Sequence, residues 1–340
     1  MLKHLEALCR LPGVSGREDA VREYILAQIK PLADEIRIDP TGSIIALKKG
    51  ARSGGKRLMV SAHMDEVGLI VTRVCEDGLL HFAAVGGIDP RVLCGRTVLV
   101  GDELIPGVIG VVPIHISSGD EKDRVPKIDA MTIDIGAKNA EEALAHVHPG
   151  DVCVFDTAFE PFGDGLLKAK ALDDRAGCAI MIELMKQELP ADVYFTFVTM
   201  EEVGLRGATC AAYTVNPDFA LVLESTTAAD IAGVSPDAQV CRVRGGAVIS
   251  FMDRHTIYDR ELFARALDLG RKKGVAVQVK EAVAGGNDAG AIHKSRGGVR
   301  TLAISLPCRY LHAPASIIAK SDLEAVYELT LELISDITAE

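Results

Sequence analysis

No run of about 18 apolar residues occurs anywhere in the chain, which excludes a membrane-spanning helix. No Cys-x-x-Cys pair occurs among the 8 cysteines, which sets aside a zinc ribbon or a thioredoxin-type site. The cysteines read instead as reduced, mostly buried small residues. Positive charge is in deficit, with 37 Lys and Arg against 48 Asp and Glu and a net charge of −11. Nucleic acid is therefore not an expected partner, because phosphate binding needs a basic patch. The amino terminus, Met1 to Arg10, scatters its charges and has no apolar centre, unlike a secretory signal. With no spanning helix either, no membrane partner is expected, and a cytoplasmic location is. There is no internal repeat and no low-complexity tract.

What is present describes a folded globular protein. Hydrophobic residues make up 48% and charged residues 25% of 340, enough for more than one domain. Residues 2–33 read as two helices parted by Pro12-Gly13-Val14-Ser15-Gly16, with Ser15 and Glu18 spaced as a capping box. Runs 35–39 and 43–47 flank a Pro-Thr-Gly turn, a hairpin signal, and a short strand 57–62 follows. From about 68 to 160 the chain is rich in Val, Ile and Gly, with frequent turns and one helix near 139–146, the signature of a small β-rich module. Beyond 170, helix 174–187, strand 193–199, helix 205–213, strand 219–223, helix 259–273, strand 275–280, a short helix after Asn287, strand 300–305 and a helix from Asp322 alternate. The expected fold is α/β, a mixed sheet with helices on both faces, with a small β-barrel-like domain inserted. Residues 1–67 and 163–340 would form the main domain and 68–162 the insertion.

Ligands in open α/β sheets bind outside the carboxyl ends of the strands. Strand 57–62 ends at His63 and Asp65, strand 193–199 at Glu201 and Glu202, and strand 219–223 at Glu224. Strand 300–305 leads to His312, and the linker into helix 174–187 adds Asp173. Singly, each has an ordinary explanation: a core histidine, a solvated loop or a helix cap. Together, His63, Asp173, Glu202, Glu224 and His312 are the donor mix of zinc or a similar divalent transition metal. One shared carboxylate would leave each of two metals with an open position, the mark of a catalytic site.

The segments Ala62-His63-Met64-Asp65-Glu66-Val67-Gly68, Ala171-Leu172-Asp173-Asp174-Arg175-Ala176-Gly177, Glu201-Glu202-Val203-Gly204 and Leu311-His312-Ala313-Pro314 are jointly specific. With Leu11–Gly16 and Gly86–Pro90, the chain resembles, along essentially its whole length, the glutamyl/deblocking aminopeptidases that build tetrahedral (TET) particles. The resemblance implies a zinc-peptidase-like catalytic domain with two metals and an inserted dimerisation domain. It implies that Asp173 bridges the metals, that His63 and Glu224 complete one site, and that Glu202 and His312 complete the other. It gives Asp65 the orientation of His63 and Glu201 the role of general base toward a water activated by the two metals. It further implies peptide substrates, dimers and dodecamers.

Two residues depart from the family pattern. Glu224 stands where many relatives have Asp, and Gly285-Gly286-Asn287-Asp288 replaces Gly-Gly-Thr-Asp. Asp288 is open between a substrate-side role and a helix N-terminal acid. His255 is a candidate to face substrate, whereas His146 and His148 read as surface residues. Zinc, cobalt and manganese all accept this donor set. The competing functions are a metal-dependent deacylase or carboxypeptidase, and a silent peptide- or carbohydrate-binding relative. A glycosidase would leave the two histidines unexplained.

Overall fold

The structure, a computed structural model, describes residues 1–116, 119 and 124–339. The chain opens with α1 (Leu2–Arg10) and α2 (Asp19–Ile29), then β1 (Glu35–Ile38), β2 (Ile44–Lys48) and β3 (Leu58–His63). Next come β4 (Gly68–Val74), β5 (Leu80–Val85), β6 (Thr97–Val100), β7 (Ile105–Val111), β8 (Met131–Asp134), α3 (Ala140–Leu144) and β9 (Val152–Phe155). After β10 (Glu160–Phe162) and β11 (Leu166–Ala169) the chain runs through α4 (Leu172–Leu184), β12 (Val193–Val198), α5 (Arg206–Val215) and β13 (Phe219–Thr227). It ends with β14 (Ala247–Ile249), α6 (Arg260–Lys273), β15 (Val277–Val279), α7 (Ala289–Ile292), β16 (Arg300–Cys308), β17 (Ser316–Ala319) and α8 (Lys320–Ile337).

An 8-stranded mixed sheet in the order β1-β2-β12-β3-β13-β16-β14-β15 forms the frame. Its centre, β12, β3, β13 and β16, is parallel, while β2 and β14 join it antiparallel. Every residue of β3 is buried, as are all residues of β13 except the last, which is why Leu58–Val60 and Phe219–Leu223 read as apolar runs. α4 lies on β3 and β13 and packs against α1 and α8, while α5 and α7 meet on the opposite face over β12, β13 and β16. Ala176, Gly177 and Ala179 have little or no side chain, so the backbone of α4 can come close to the sheet.

Strands β4, β5, β8, β7, β6 and β9 close into a barrel. Leu69, Val71, Leu80, Phe82, Val98, Val100, Ile109 and Ile133 fill it, alternating with residues turned outward at the period of a pleated strand. A third, 3-stranded sheet, β10-β11-β17, lies at the chain's return to the main sheet.

Three expectations change. The Ser15–Glu18 capping box does not form: α2 begins without a side-chain cap, and the Ser15 hydroxyl donates instead to Asp65 Oδ2 at 2.6 Å. Glu18 Oε1 accepts the backbone N–H groups of Gly16 (2.8 Å) and Met200 (3.1 Å). A buried carboxylate needs its donors more than a helix end open to water does. The strand expected at 219–223 continues to Thr227, because Ser225, Thr226 and Thr227 keep pairing with Leu306, Pro307 and Cys308. Glu224 therefore stands inside a strand, opposite Ser305, not at its end.

Candidate active site

Register places the site. Val198 of β12 pairs with His63 of β3, so the Glu201-Glu202 loop leaves the sheet beside His63. Pairing between β3 and β13 stops at Ser61–Val222, while β13 runs on with β16, and His63 and Glu224 lie where the two strands part. Asp173 and Asp174 have non-helical backbone angles at the head of α4, and the peptide joining them is cis. Helical geometry proper starts after them, with Asp174 Oδ1 accepting the Gly177 N–H at 2.9 Å as a cap does. His312 adopts φ 59°, and its Nδ1 lies 2.9 Å from the Gly87 carbonyl of the loop after β5.

Asp173 stands between the two imidazoles. Its Oδ1 lies 3.5 Å from His63 Nε2 and its Oδ2 lies 3.4 Å from His312 Nε2. Glu224 Oε2 is 3.7 Å from His63 Nε2, and Glu202 Oε1 is 3.3 Å from His312 Nε2. These separations exceed good N–H···O bonds. Three of the four match the edge of a ligand tetrahedron, about 3.3–3.5 Å when each donor is roughly 2.0–2.1 Å from a zinc-sized ion, and the Glu224 separation is slightly longer. The groups His63, Asp173, Glu202 and His63, Asp174, Glu224 each bring three donor atoms within 4.8 Å of one another. Asp174 Oδ2 and both oxygens of Asp288 are buried without a partner, an excess of acceptors that cations would offset.

The electrostatics fit the same picture. Burial alone would raise the Asp173 carboxyl, but His312 and His63 hold it below the usual carboxylate range. Burial, with Asp173 close by, pushes Glu202 up to about 7 against the opposing pull of His312. Burial also raises Glu224 and Glu201 well above the ordinary range. Asp173 and Glu202 lift His312 to about 9, overcoming the opposing effect of burial. Acids crowded this closely around Asp173 raise one another, and bound cations would relieve that crowding.

Asp65 organises the loop around this centre. Its carbonyl lies 3.1 Å from His63 Nδ1, with its carboxylate Oδ1 at 3.4 Å. The same carboxylate accepts the backbone N–H groups of Glu201 at 3.0 Å and Glu202 at 3.1 Å, besides the Ser15 hydroxyl. One buried acid thus sets the positions of His63, Glu201 and Glu202 at once. Behind it runs a cluster that the sequence did not disclose. Glu66 takes Lys170 Nζ at 2.7 and 2.8 Å and Arg175 at 3.2 Å, and Arg175 also donates to the Leu8 and Gly13 carbonyls. The one available signal was a cation beside each end of the Asp173-Asp174 pair, at 170 and 175.

A cavity of about 140 Å³ opens on Asp173, Glu201 and Glu224 and is lined further by Lys280 and Asn287. Asp288 and His255 do not line it. Asp288 is fully buried and stands at the N-terminus of α7, the helix-terminal acid foreseen for it, although its side chain makes no capping bond. His255 is exposed, its ring beside Gly286 and Gly290, and His146 and His148 are exposed as expected.

The model of the M42 glutamyl aminopeptidase family matches residues 42–329. A candidate aminopeptidase of Acetivibrio thermocellus is 38% identical over 338 residues, 98% of each chain. An aminopeptidase of the archaeon Desulfurococcus kamchatkensis has the same fold with a TM-score of 0.94, at 31% identity over 98% of this chain and 94% of that one. The TET1 peptidase of Pyrococcus horikoshii, described as able to assemble into a tetrahedron or a large octahedral shell, has a TM-score of 0.87 at 35% identity over 98% of both chains. A match of that extent, on a mixed sheet carrying an inserted barrel and a cluster of metal donors, settles descent: the chain belongs to the M42 glutamyl aminopeptidase family.

Proposed function

We propose that this aminopeptidase removes the first residue of unblocked peptides at a centre for two divalent metal ions, with Asp173 shared between them. The observation that carries this reading is the placing of the two Asp173 oxygens against two different histidines. His63 and Glu224 would complete one metal's ligands, and Glu202 and His312 the other's. When bound, the ions would polarise the scissile carbonyl and make a water at the site more acidic. Glu201 takes the proton from the attacking water and returns it to the departing amine. Its backbone is fixed by Asp65, and its side chain lines the cavity beside Asp173 and Glu224.

The same reading divides the chain into a catalytic part, 1–67 and 163–340, and an inserted part, 68–162. Val108, Val112, Ile114 and Ile116, in and after β7, expose large apolar surfaces and suit the inserted part to self-association. Dimers, and dodecamers of the TET kind, are the proposed assemblies. All eight cysteines are free, which suits the cytoplasm. No described helix is long and apolar enough to cross a membrane.

The test strips the protein with chelator and reloads it with zinc, cobalt or manganese. It then offers aminoacyl anilides against N-acyl amino acids. Hydrolysis of the anilides alone, restored by metal, is expected; cleavage of the N-acyl compounds instead would move the protein to the deacylase reading.

A further inference from the structure

Two histidines belong to the cluster of donors, and they are held by different means. The His63 side chain is 1% exposed and ends a central strand, so its surroundings fix it. The His312 side chain is 33% exposed and stands in the loop 310–316, which has to be fixed from its base. Arg309 and Ile317 close that base by exchanging both backbone hydrogen bonds, at 3.0 and 3.1 Å. Inside it Tyr310 and His312 have φ of 60° and 59°, a left-handed backbone that non-glycine residues keep only where neighbours hold it.

At the tip of the loop, the Gly87 carbonyl lies 2.9 Å from His312 Nδ1, and Thr157 donates its hydroxyl to the Pro314 carbonyl at 2.7 Å. At the base, Arg309 Nε and Nη2 donate to Asp230 Oδ1 and Oδ2 at 2.7 and 2.8 Å. A fork of this kind fixes direction as well as distance, which a single ammonium does not. The Asp230 side chain is 10% exposed and is itself tied down, since its Oδ2 also accepts the Val243 N–H at 3.1 Å. The pair stands where two strands end. Arg309 follows Cys308, the last residue of β16, and Asp230 lies just beyond Thr227, the last of β13. Thr227 and Cys308 are paired, and beyond them the Ala228 N–H donates to the Cys308 carbonyl at 2.9 Å. β13 carries Glu224 and β16 leads to His312, so the fork clamps together the two stretches that bring those donors to the centre. Neither Arg309 nor Asp230 lines the cavity beside Asp173, Glu201 and Glu224. We infer that Arg309 and Asp230 are positioning residues for His312, setting the base of its loop so that the imidazole meets the metal it shares with Glu202. This rests on the two-metal reading above and adds to it the side chains outside the centre that govern one of its two positions.

The test follows zinc binding to chelator-stripped protein by titration calorimetry in wild type, Arg309→Lys, Asp230→Asn and the double variant. His312→Ala, which keeps the position of His63 and Glu224, shows which binding step is which. Arg309→Lys keeps the charge without the fork; it should weaken the His312 position at least about 10-fold and leave the other within about 3-fold. Asp230→Asn should weaken the same step, and the double variant no more than the worse single one, because each residue acts through the other. At limiting zinc, kcat on a Leu anilide should fall in Arg309→Lys with KM within about 2-fold of wild type, and added zinc should restore it. Wild-type affinity at both steps in Arg309→Lys, equal weakening of both, or losses that multiply in the double variant would overturn the assignment while leaving the two-metal reading intact. Should Asp230→Asn fail to fold, the comparison of the two steps in Arg309→Lys decides by itself. A wild type that binds fewer than two ions overturns both.

Discussion

Glu201 and Glu202 are neighbours proposed for different duties, and Asp65 positions both. That carboxylate holds both their backbone N–H groups, so the loop cannot rotate to exchange them. Glu202 is thereby kept against His312, and Glu201 against the cavity. Glu201→Gln keeps the shape and removes the proton acceptor. It should retain metal and lower kcat by at least about 100-fold with little change in melting temperature. Turnover within a few-fold of wild type, measured on a Leu anilide, would remove Glu201 from the role of base. Much of this cluster was legible beforehand because His63, Glu201 and Glu202 sit at or just past a strand's end, and strand ends can be read from hydrophobic pattern; Glu224 showed itself instead as the residue at which the apolar run of β13 stops. The supports were not. Ser15 reaches Asp65 across 50 residues of chain, and Glu66 meets Lys170 across 104, separations that no local pattern encodes.

At the level of elements, the turn from β11 into α4 is where the site is most exposed to small changes. Gly177 sits in the first turn of α4 with its N–H on Asp174 Oδ1, and a Cβ there would collide with both oxygens of Asp174. Gly177→Ala should push that carboxylate aside, cost roughly 1–3 kcal/mol of stability as overpacking does, and weaken metal binding at the adjoining Asp173. Calorimetry with a metal titration reads both; a melting temperature and metal affinity equal to wild type would show that the turn has room to spare. The alternation of strands and helices was readable from 170 onward because central parallel strands are buried on both faces and read as continuous apolar runs. The polar Glu224–Thr227 end of β13 broke that run and hid four paired residues. β10 and β17 escaped notice for a related reason: they have 3 and 4 residues, too few for a period to emerge.

For the whole molecule, the inserted barrel follows β3 directly, and β3 carries His63 at its last position. An insertion so placed stands beside the centre: Gly87, after β5, holds His312. Assembly through the barrel would therefore fix the rim of the active site as well as the particle. Light scattering should show an assembly larger than a monomer, reduced by charged substitutions at Ile114 and Ile116; a monomeric wild type with full metal would speak against it. The change of texture from 68 onward was plain in the sequence, since Val, Ile and Gly dense with turns cannot be mistaken for the flanking helices. How the barrel closes depends on pairings such as Val98 with Phe155, which lie far apart in the chain.

The central claim is that Asp173 is shared by two metal ions, and metal content per subunit tests it most directly. Wild type, Asp173→Asn and Asp174→Asn are loaded with zinc, freed of excess by gel filtration and measured by elemental mass spectrometry. The account predicts about two ions for wild type and for Asp174→Asn, whose amide oxygen can keep the cap on Gly177, and loss of both from Asp173→Asn. Two ions retained by a folded Asp173→Asn, or one at most in wild type, would contradict it.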